Sequence, residues 1–283
     1  MSWDSVTGLE VAKQALSEAV ILPCLRPDLF KGLRAPLKGL LLYGPPGNGK
    51  TLLAKALASE AKAAFFSISA ASLGSKWHGE SERMVRALFR AAKQVAPSVI
   101  FIDEVDSLLS SRSSGEHEAS KRLKTEFLVQ MDGIVQESDG GGGKETANQH
   151  VFVLGATNRP WDIDEALRRR LAKRIYVPLP SVEGRVKILQ GLLQREDVPE
   201  REVRQLGQAT EGYSGSDLVA LCREAAMGAI RGVRDLVHAK KVRKITGQDF
   251  AEAMRVVKPS VDRKVLQEFE SFTRNFGTRA DAA

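Results

Sequence analysis

Residues 44–51 have the residue types and spacing of a phosphate-binding loop. They read Gly-Pro-Pro-Gly-Asn-Gly-Lys-Thr and lie between the apolar run 40–43 and a helical pattern, which is the context that such a loop requires. Glycines allow backbone N–H groups to turn towards phosphate oxygens, and the start of a helix adds a favourable field for anions. We expect Lys50 to reach the β- and γ-phosphates of a nucleotide and Thr51 to hold Mg²⁺. A turn that only joins a strand to a helix is the structural alternative. Because all fixed positions and both flanks agree, the sequence predicts a nucleoside triphosphate site formed by Pro45, Pro46, Gly47, Asn48, Gly49, Lys50 and Thr51.

Two adjacent carboxylates, Asp103 and Glu104, follow the apolar run at residues 99–102. Beside a phosphate loop they can divide the work, since Asp103 would orient the Mg²⁺ shell and Glu104 would act as general base on the attacking water. A strand that merely ends in solvated acids is the alternative. The presence of residues 44–51 in the same chain favours the catalytic interpretation.

Two further segments carry polar residues that suit a nucleotide site. Asn158 follows the apolar run that begins at residue 151, and its amide could bond the γ-phosphate or the attacking water. A turn residue is the alternative at this position.

Arg168, Arg169 and Arg170 place three guanidiniums in a row, and an arginine presented across a subunit boundary can raise the rate of phosphoryl transfer by ~10³–10⁵-fold. A solvated basic cluster near a helix end is the alternative for the arginines.

Apolar runs and helical patterns alternate through the first two-thirds of the chain, which predicts an α/β fold with a doubly wound parallel sheet that binds its ligand at the carboxyl ends of the strands. Strand signals cease after residue 180, and helical patterns follow. We therefore predict a nucleotide-binding domain at residues 1–180 and a small helical lid domain with a C-terminal helix at residues 181–283. Residues 138–145 have the composition of a flexible surface linker. The predicted strands cover residues 40–43, 64–68, 99–102, 151–154 and 175–177; the predicted helices cover residues 51–61, 80–95, 119–131, 183–193, 202–209, 216–233 and 246–257.

The amino-acid composition excludes some classes of protein but does not identify a single one. The hydrophobic content of 43% is ordinary for a globular chain, and no apolar run approaches the ~20 residues that cross a bilayer. Cys24 and Cys222 lack metal-ligand spacing, so we expect free thiols and a reducing compartment. The formal net charge of +7 favours an acidic partner, which could be nucleic acid, an anionic membrane or an acidic protein tail.

Four motifs together resemble the AAA ATPases, and in particular the group that contains spastin, katanin, fidgetin and the ATPase that disassembles ESCRT-III filaments. The resemblance covers nearly the whole chain. It implies a homo-hexameric ring with ATP and Mg²⁺ bound between neighbouring subunits. The motifs are residues 44–51, residues 100–109 (Ile-Phe-Ile-Asp-Glu-Val-Asp-Ser-Leu-Leu), residues 155–160 (Gly-Ala-Thr-Asn-Arg-Pro) and residues 212–218 (Gly-Tyr-Ser-Gly-Ser-Asp-Leu).

The resemblance also implies roles for individual residues. Asn158 would sense the nucleotide, and Arg169 and Arg170 would act on the neighbouring subunit's ATP. Gly8 and Leu52 would line the adenine pocket, while Gly215 and Ser216 would close over the nucleotide. The substrate-gripping loop would be residues 75–83, with Trp77 holding a threaded polypeptide and Lys76 and His78 lining the pore. A core position is the alternative for Trp77. His117, in a second loop, would either line the pore below it or belong to a plain solvated loop.

Charge and resemblance together predict the substrate. A basic pore suits the glutamate-rich tails of tubulin, and three of the four named relatives sever microtubules. We expect a microtubule-severing enzyme that is cytoplasmic and cytoskeleton-associated, reaches membranes only through adaptors, and binds no nucleic acid. Disassembly of ESCRT-III filaments is the alternative, although residues 226–250 leave little room for the insertion usual in that relative. A nucleotide-gated scaffold is a third hypothesis, which the complete catalytic set disfavours. The motifs do not separate spastin from katanin or fidgetin. These relatives usually carry N-terminal microtubule-binding or adaptor regions that this sequence does not include, so either the chain is a fragment or it finds its target by other means, and we expect weak recruitment.

Overall fold

The structure is a computed structural model that describes residues 3, 6–69, 80–109, 118–139, 150–196, 198–231 and 243–278. Four residues predicted to contact a threaded substrate, Lys76, Trp77, His78 and His117, lie outside these ranges, and their roles stay predictions. Most of the predicted linker, residues 140–145, also lies outside them.

Five parallel strands form one sheet in the order β2-β3-β4-β1-β5. The predicted doubly wound α/β sheet is confirmed. Each apolar run became a strand, and the three central strands are almost entirely buried because helices cover both faces of a parallel sheet; the edge strands β2 and β5 are less buried and carry serine, lysine and arginine side chains. The strands are β1 (Gly39–Tyr43), β2 (Ala64–Ser69), β3 (Ser98–Asp103), β4 (Val151–Thr157) and β5 (Lys173–Tyr176).

Successive side chains along a strand enter two different cores. Leu40 and Leu42 of β1 pack in a cluster with α1 (Glu10–Leu16) and α3 (Lys50–Glu60). Leu41 lies in the opposite cluster, which includes residues of α4 (Glu80–Gln94) and α6 (Glu118–Asp139). This arrangement fixes which face each connecting helix covers, and it brings the carboxyl ends of all five strands to one edge of the sheet.

Several elements had no counterpart among the predicted ones. Residues 10–25 form a helical segment that comprises α1, a π-helical stretch (Ser17–Ile21) and α2 (Leu22–Leu25). Two short helices follow strand ends: α5 (Val105–Leu109) and α7 (Glu165–Arg170). Helix α6 continues to Asp139, beyond its predicted end at residue 131.

The last third of the chain is helical, as predicted. Its helices are α8 (Val182–Leu192), α9 (Glu200–Ala209), α10 (Gly215–Arg231), α11 (Gly247–Val256) and α12 (Arg263–Phe276). A separate core holds α8 to α11 together, with Leu221, Phe250 and Tyr213 among its buried members. Arg243 reinforces this unit through a bidentate pair with Asp249, each nitrogen–oxygen distance being 2.6 Å.

Packing divides the chain into two units, and each unit consists of segments that are not consecutive in the sequence. The first comprises Met1–Gly44, Lys50–Val177 and Phe269–Ala283, and the second comprises Pro45–Gly49 and Pro178–Glu268. The predicted domain limits of 1–180 and 181–283 stay a prediction. Within the described parts of the chain, no helix combines the length and hydropathy that a membrane crossing requires. Cys24 and Cys222 are free thiols, as predicted.

Candidate functional site

Three glycines give residues 44–49 their path between β1 and α3. Gly44, Gly47 and Gly49 have positive φ angles of 149°, 75° and 81°, a conformation that residues with a Cβ rarely adopt. A Cβ on Gly44 would lie 2.2 Å from the carbonyl oxygen of Val177, so this position also lacks space for one. Among the described residues, the buried Oδ1 of Asn48 has no hydrogen-bond partner. A loop of this shape, with backbone amides available around it, fits a phosphate group.

Lys50 is the first residue of α3 and is 7% exposed. Its Nζ donates a hydrogen bond to the Gly44 carbonyl oxygen at 2.8 Å, across the opening of the loop. Burial lowers the pKa of Lys50 to about 8, although the negative charges of Asp103 and Asp106 act in the opposite direction. The buried ammonium group therefore has an incomplete balance of negative charge, which an anionic ligand would improve.

Thr51 and Asp103 meet at the carboxyl edge of the sheet. The Thr51 hydroxyl donates to Asp103 Oδ2 at 2.9 Å, so a hydroxyl oxygen and a carboxylate from different elements lie within one hydrogen bond. Hard oxygen donors are the ligands that Mg²⁺ prefers, together with water and substrate phosphates. The pair fits the predicted magnesium site, with Thr51 and Asp103 as the residues that would hold the ion.

Glu104 adopts a left-handed backbone conformation, with φ of 50°. Such a conformation costs a non-glycine residue ~1–2 kcal/mol, and here three hydrogen bonds support it. The Glu104 carbonyl oxygen accepts from the Ser107 hydroxyl at 2.6 Å and from the Ser107 amide at 2.9 Å, and the Glu104 amide donates to Asp103 Oδ1 at 3.0 Å. The turn ends β3 and leaves the Glu104 side chain exposed. Strained, over-determined backbone of this kind is concentrated at functional sites.

Asn158 follows β4 at the same edge. Its side chain is partly buried, and within the described ranges its Oδ1 has no hydrogen-bond partner. The preceding residue, Thr157, is fixed by its own contacts, since its hydroxyl donates to Asp106 Oδ1 at 2.6 Å and accepts from the Arg159 amide at 2.8 Å. Sequence reasoning missed Thr157 and Asp106, although both lie inside the motifs that it singled out.

The three arginines of α7 differ in their partners. Arg169 is 77% exposed, and within the part of the chain that the structure describes its ion pair lies along its own helix, with Glu165 at 2.6 Å. Arg170 forms a bidentate pair with Asp132 of α6, at 2.7 and 2.5 Å, and also donates to the Ala166 carbonyl oxygen. Arg168 lies over the Phe276 ring of α12, 4.7 Å from its centroid.

Helix α7 is held in place from α6 at both of its ends. Asp164 caps its N-terminus by accepting from the Ala166 amide at 2.7 Å, and the same carboxylate pairs with Lys124 at 2.8 Å. These contacts keep the pKa of Asp164 below its ordinary value, with the Lys124 hydrogen bond as the main cause. The Asp132–Arg170 pair secures the other end, so α6 fixes the position of the helix from which Arg169 extends.

Residues 45–49 contact the start of α10 within the second packing unit. The Ser216 amide donates to the Gly47 carbonyl oxygen at 3.1 Å, and a Cβ on Gly215 would lie 3.0 Å from that same oxygen. Asp217 shapes this turn by accepting from the Ser214 amide and from Ser260. The predicted nucleotide residues Gly215 and Ser216 are therefore brought to the glycine loop, and Asp217 is a supporting residue that the sequence did not single out.

The two residues predicted for the adenine pocket are not joined by a described contact. Gly8 has a φ of 70° and open space around its missing Cβ. Leu52 is 47% exposed, an unusual state for a leucine in the first turn of a covered helix. Both observations suit a surface that receives a ligand, and the assignments stay predictions.

A parallel sheet with this strand order and a glycine loop after β1 defines a phosphate-loop nucleotide-binding protein. Residues 40–179 match the model of the ATPase family associated with various cellular activities (AAA), and residues 202–244 match the AAA+ lid domain. The chain belongs to the AAA ATPases, a family of enzymes that bind and hydrolyse ATP.

Known proteins confirm the predicted group within this family. Spastin from Dictyostelium discoideum is 52% identical over 284 residues, which cover 98% of this chain and 42% of that protein. The crystal structure of the FIGL-1 AAA domain in complex with ADP has a TM-score of 0.88 and 48% identity, covering 99% of this chain and 92% of the other. A katanin structure that concerns katanin self-assembly has a TM-score of 0.79 and 40% identity, covering 97% and 91%. The chain spans less than half the length of the curated relatives that it matches.

Proposed function

We propose that this chain is the motor of an ATP-driven, hexameric protein translocase that pulls acidic tubulin tails through a central pore and severs microtubules. The observation that carries the proposal is the set of hydrolytic groups at the end of β1 and β3, in a chain about half identical to spastin. A protein that only bound nucleotide as a scaffold would not need a general base.

The proposed hydrolysis divides the work among four residues. Lys50 binds the β- and γ-phosphates, and the backbone of residues 44–49 surrounds them. Thr51 and Asp103 hold Mg²⁺, which when bound neutralises charge that develops on the phosphate oxygens. Glu104 takes the proton of the attacking water as general base. Its fixed backbone supports this role, because a base must be held in position before the substrate arrives.

Asn158 is proposed to orient the attacking water. An amide oxygen accepts hydrogen bonds and cannot donate one, so it cannot bond a phosphate oxygen, which also only accepts. The unpartnered Oδ1 of Asn158 therefore suits a water proton, and its amide nitrogen suits a γ-phosphate oxygen. One side chain would then distinguish ATP from ADP by whether both bonds can form.

Arg169 and Arg170 are proposed to act on the ATP of the adjacent subunit. The high exposure of Arg169 supports this role, because its Glu165 pair is a surface pair along one helix and such pairs contribute only ~0.3–0.5 kcal/mol. Arg170 would contribute chiefly by fixing α7. The katanin structure concerned with self-assembly supports oligomerisation. A cytoskeletal location is part of the same proposal.

Severing is tested with fluorescent, stabilised microtubules, ATP and the purified chain. We expect breaks along the filaments that require ATP. Glu104→Gln should bind ATP, form a stable oligomer and leave filaments intact, and Trp77→Ala should hydrolyse ATP without severing. Intact filaments at micromolar wild-type protein would refute the proposal, as would unchanged ATP turnover in Glu104→Gln.

Substrate choice is tested by pull-down with the ATP-trapping Glu104→Gln variant. Immobilised acidic tubulin-tail peptides should retain it, whereas helical C-terminal peptides of ESCRT-III-like filament subunits should not. Retention by the helical peptides alone would replace microtubule severing with filament disassembly at membranes.

A further inference from the structure

Helices α4 and α6 border an open groove of about 690 Å³ on the first packing unit. Residues of both helices line it, and its charged members are four cations and two carboxylates, an excess of two positive charges. They are Arg83, Arg86, Lys121, Arg122, Glu82 and Glu126.

The two helices that border this groove are packed against each other through buried side chains. Val85 and Phe89 of α4 are fully buried, and Phe89 packs edge-on against Phe127 of α6 with ring centroids 5.4 Å apart. Leu123 adds to the same core. Since the two helices cannot move apart without opening this core, the backbone positions from which the rim cations extend keep a constant spacing.

The carboxylates reduce the positive charge of the rim less than their number indicates. Glu126 Oε1 accepts a hydrogen bond from the side-chain Nε2 of Gln130 at 2.9 Å, and Arg86 Nε lies 3.8 Å away from the same oxygen. Glu126 is only 18% exposed in its side chain, whereas that of Arg86 is 53% exposed. Arg83, Lys121 and Arg122 are exposed as well. A ligand in the groove therefore meets the Arg86 guanidinium before it meets the Glu126 carboxylate.

Topology adds positive potential at one end of the groove. Helix α4 connects β2 to β3, and α6 leads into β4, so both run back from the carboxyl edge of the parallel sheet. Their N-termini consequently lie at the same edge, and the positive ends of both helix dipoles point there. In the sequence, the predicted substrate-gripping loop at residues 75–83 runs into the start of α4, and His117 of the second predicted loop directly precedes α6.

We propose that the groove between α4 and α6 binds an acidic segment of the protein substrate, as a docking site separate from Trp77. This inference rests on the proposed function, because it assigns the groove to the same cargo. Glutamate side chains of an extended peptide would pair with Arg83, Arg86, Lys121 and Arg122, and exposed Val129 offers apolar contact at the groove. The site would raise the local concentration of acidic tails at the pore loops.

The test measures fluorescence anisotropy of a labelled oligoglutamate peptide with the Glu104→Gln chain and ATP. Adding Arg83→Gln and Lys121→Gln should weaken binding about fivefold or more, since each removes one exposed charge contact. The matched control adds Arg204→Gln and Lys258→Gln, exposed cations of the second unit, which remove the same net charge and should leave affinity within about twofold. Thermal unfolding of each variant checks that the fold is retained.

The outcomes separate this inference from the proposed function. Equal affinity of the groove variant and its parent, or equal weakening in both double variants, would overturn the docking site and leave the translocase intact. Failure of the parent to bind the peptide at all would overturn both. A single-stranded oligonucleotide that competes more strongly than the peptide, and loses affinity in the groove variant, would assign the groove to nucleic acid instead. A glutamine peptide of the same length should not compete.

Discussion

Nucleotide affinity should decrease as pH rises through the pKa of Lys50. In the free chain the ammonium group is buried, and burial lowers its pKa to about 8 in spite of the nearby carboxylates of Asp103 and Asp106. Bound phosphates favour the charged form, so the pKa of Lys50 is higher in the complex than in the free protein. Binding is therefore coupled to proton uptake wherever free Lys50 is deprotonated.

The size of the pH effect on nucleotide affinity follows from the pKa of Lys50 in the free protein. Below about pH 7 Lys50 is already charged and affinity should be constant, whereas each pH unit above about 8 should weaken binding by about tenfold, or ~1.4 kcal/mol. From about pH 7 to about pH 9 the nucleotide affinity should fall roughly tenfold in total. At about pH 8.5 roughly three-quarters of the free molecules lack the proton, so binding should take up ~0.75 protons per nucleotide.

Calorimetric titration with ADP, whose phosphates are already ionised in this range, measures both quantities. Affinity is recorded against pH, and proton uptake is obtained from the dependence of the heat on buffer ionisation. Lys55→Gln is the matched control, because Lys55 is an exposed lysine of the same helix α3, and it should keep the pH dependence. Lys50→Met should bind weakly at every pH with no proton uptake.

A constant affinity between about pH 7 and about pH 9 would refute this reasoning, since it would mean that Lys50 stays charged in the free chain. Loss of the pH dependence in Lys55→Gln would equally show that the titrating group lies elsewhere.

Four further predictions concern single positions. Gly47→Ala should weaken ADP binding at least about tenfold, because its Cβ would lie 2.7 Å from the Ser216 hydroxyl and its φ is 75°; adding Ser216→Ala should restore only a small part of the loss, since the close approach to the Ser216 Cβ at 2.8 Å and the φ strain of ~1 kcal/mol remain. Asp249→Asn should cost ~1–3 kcal/mol of unfolding free energy in urea at neutral pH. The Arg243 hydrogen bond holds the pKa of Asp249 well below its usual range, so this difference should persist above about pH 4 and shrink as pH falls further; a constant difference would contradict it. Phe276→Ala should cost ~1–2 kcal/mol by removing the Arg168 contact and apolar burial, whereas Val256→Ala, at a position 70% exposed, should cost less than ~0.5 kcal/mol. Arg170→Ala should lower the unfolding free energy by ~0.5–1.5 kcal/mol because it removes the bidentate pair with the half-exposed Asp132 and the hydrogen bond to Ala166, and Arg169→Ala should change it by under ~0.5 kcal/mol; equal losses in urea denaturation would show that the two arginines are not held differently.

The apolar runs predicted the sheet because burial on both faces requires a nearly continuous apolar strand. All five strands have the predicted positions to within a few residues. The glycine loop was equally predictable, since the φ angles of Gly44, Gly47 and Gly49 require glycine. Both the strands and the glycine loop could therefore be predicted from residues that are close together in the sequence.

Contacts between distant segments were not predictable in the same way. Arg170 and Asp132 are separated by 38 residues and Lys124 and Asp164 by 40. Both pairs depend on the rotation of α6 about its axis, which is set by burial of Phe127 and Met131 against the sheet. The short helix α7 gave no periodic signal because one and a half turns hold too few apolar positions.

The difference between Arg169 and Arg170 gives the arginine segment two separate tasks in the proposed ring. A bidentate pair between a guanidinium and a carboxylate fixes geometry as well as energy, so Arg170 can anchor α7 only while it stays on Asp132. Arg169 shares the anchored helix but is itself restrained by one exposed pair along that helix. Its guanidinium can therefore turn to a neighbouring subunit's phosphate while its Cα remains in place. An arginine that must reach the same phosphate in every cycle needs a fixed backbone position and a guanidinium that can turn. This requirement explains why the consecutive arginines have different partners.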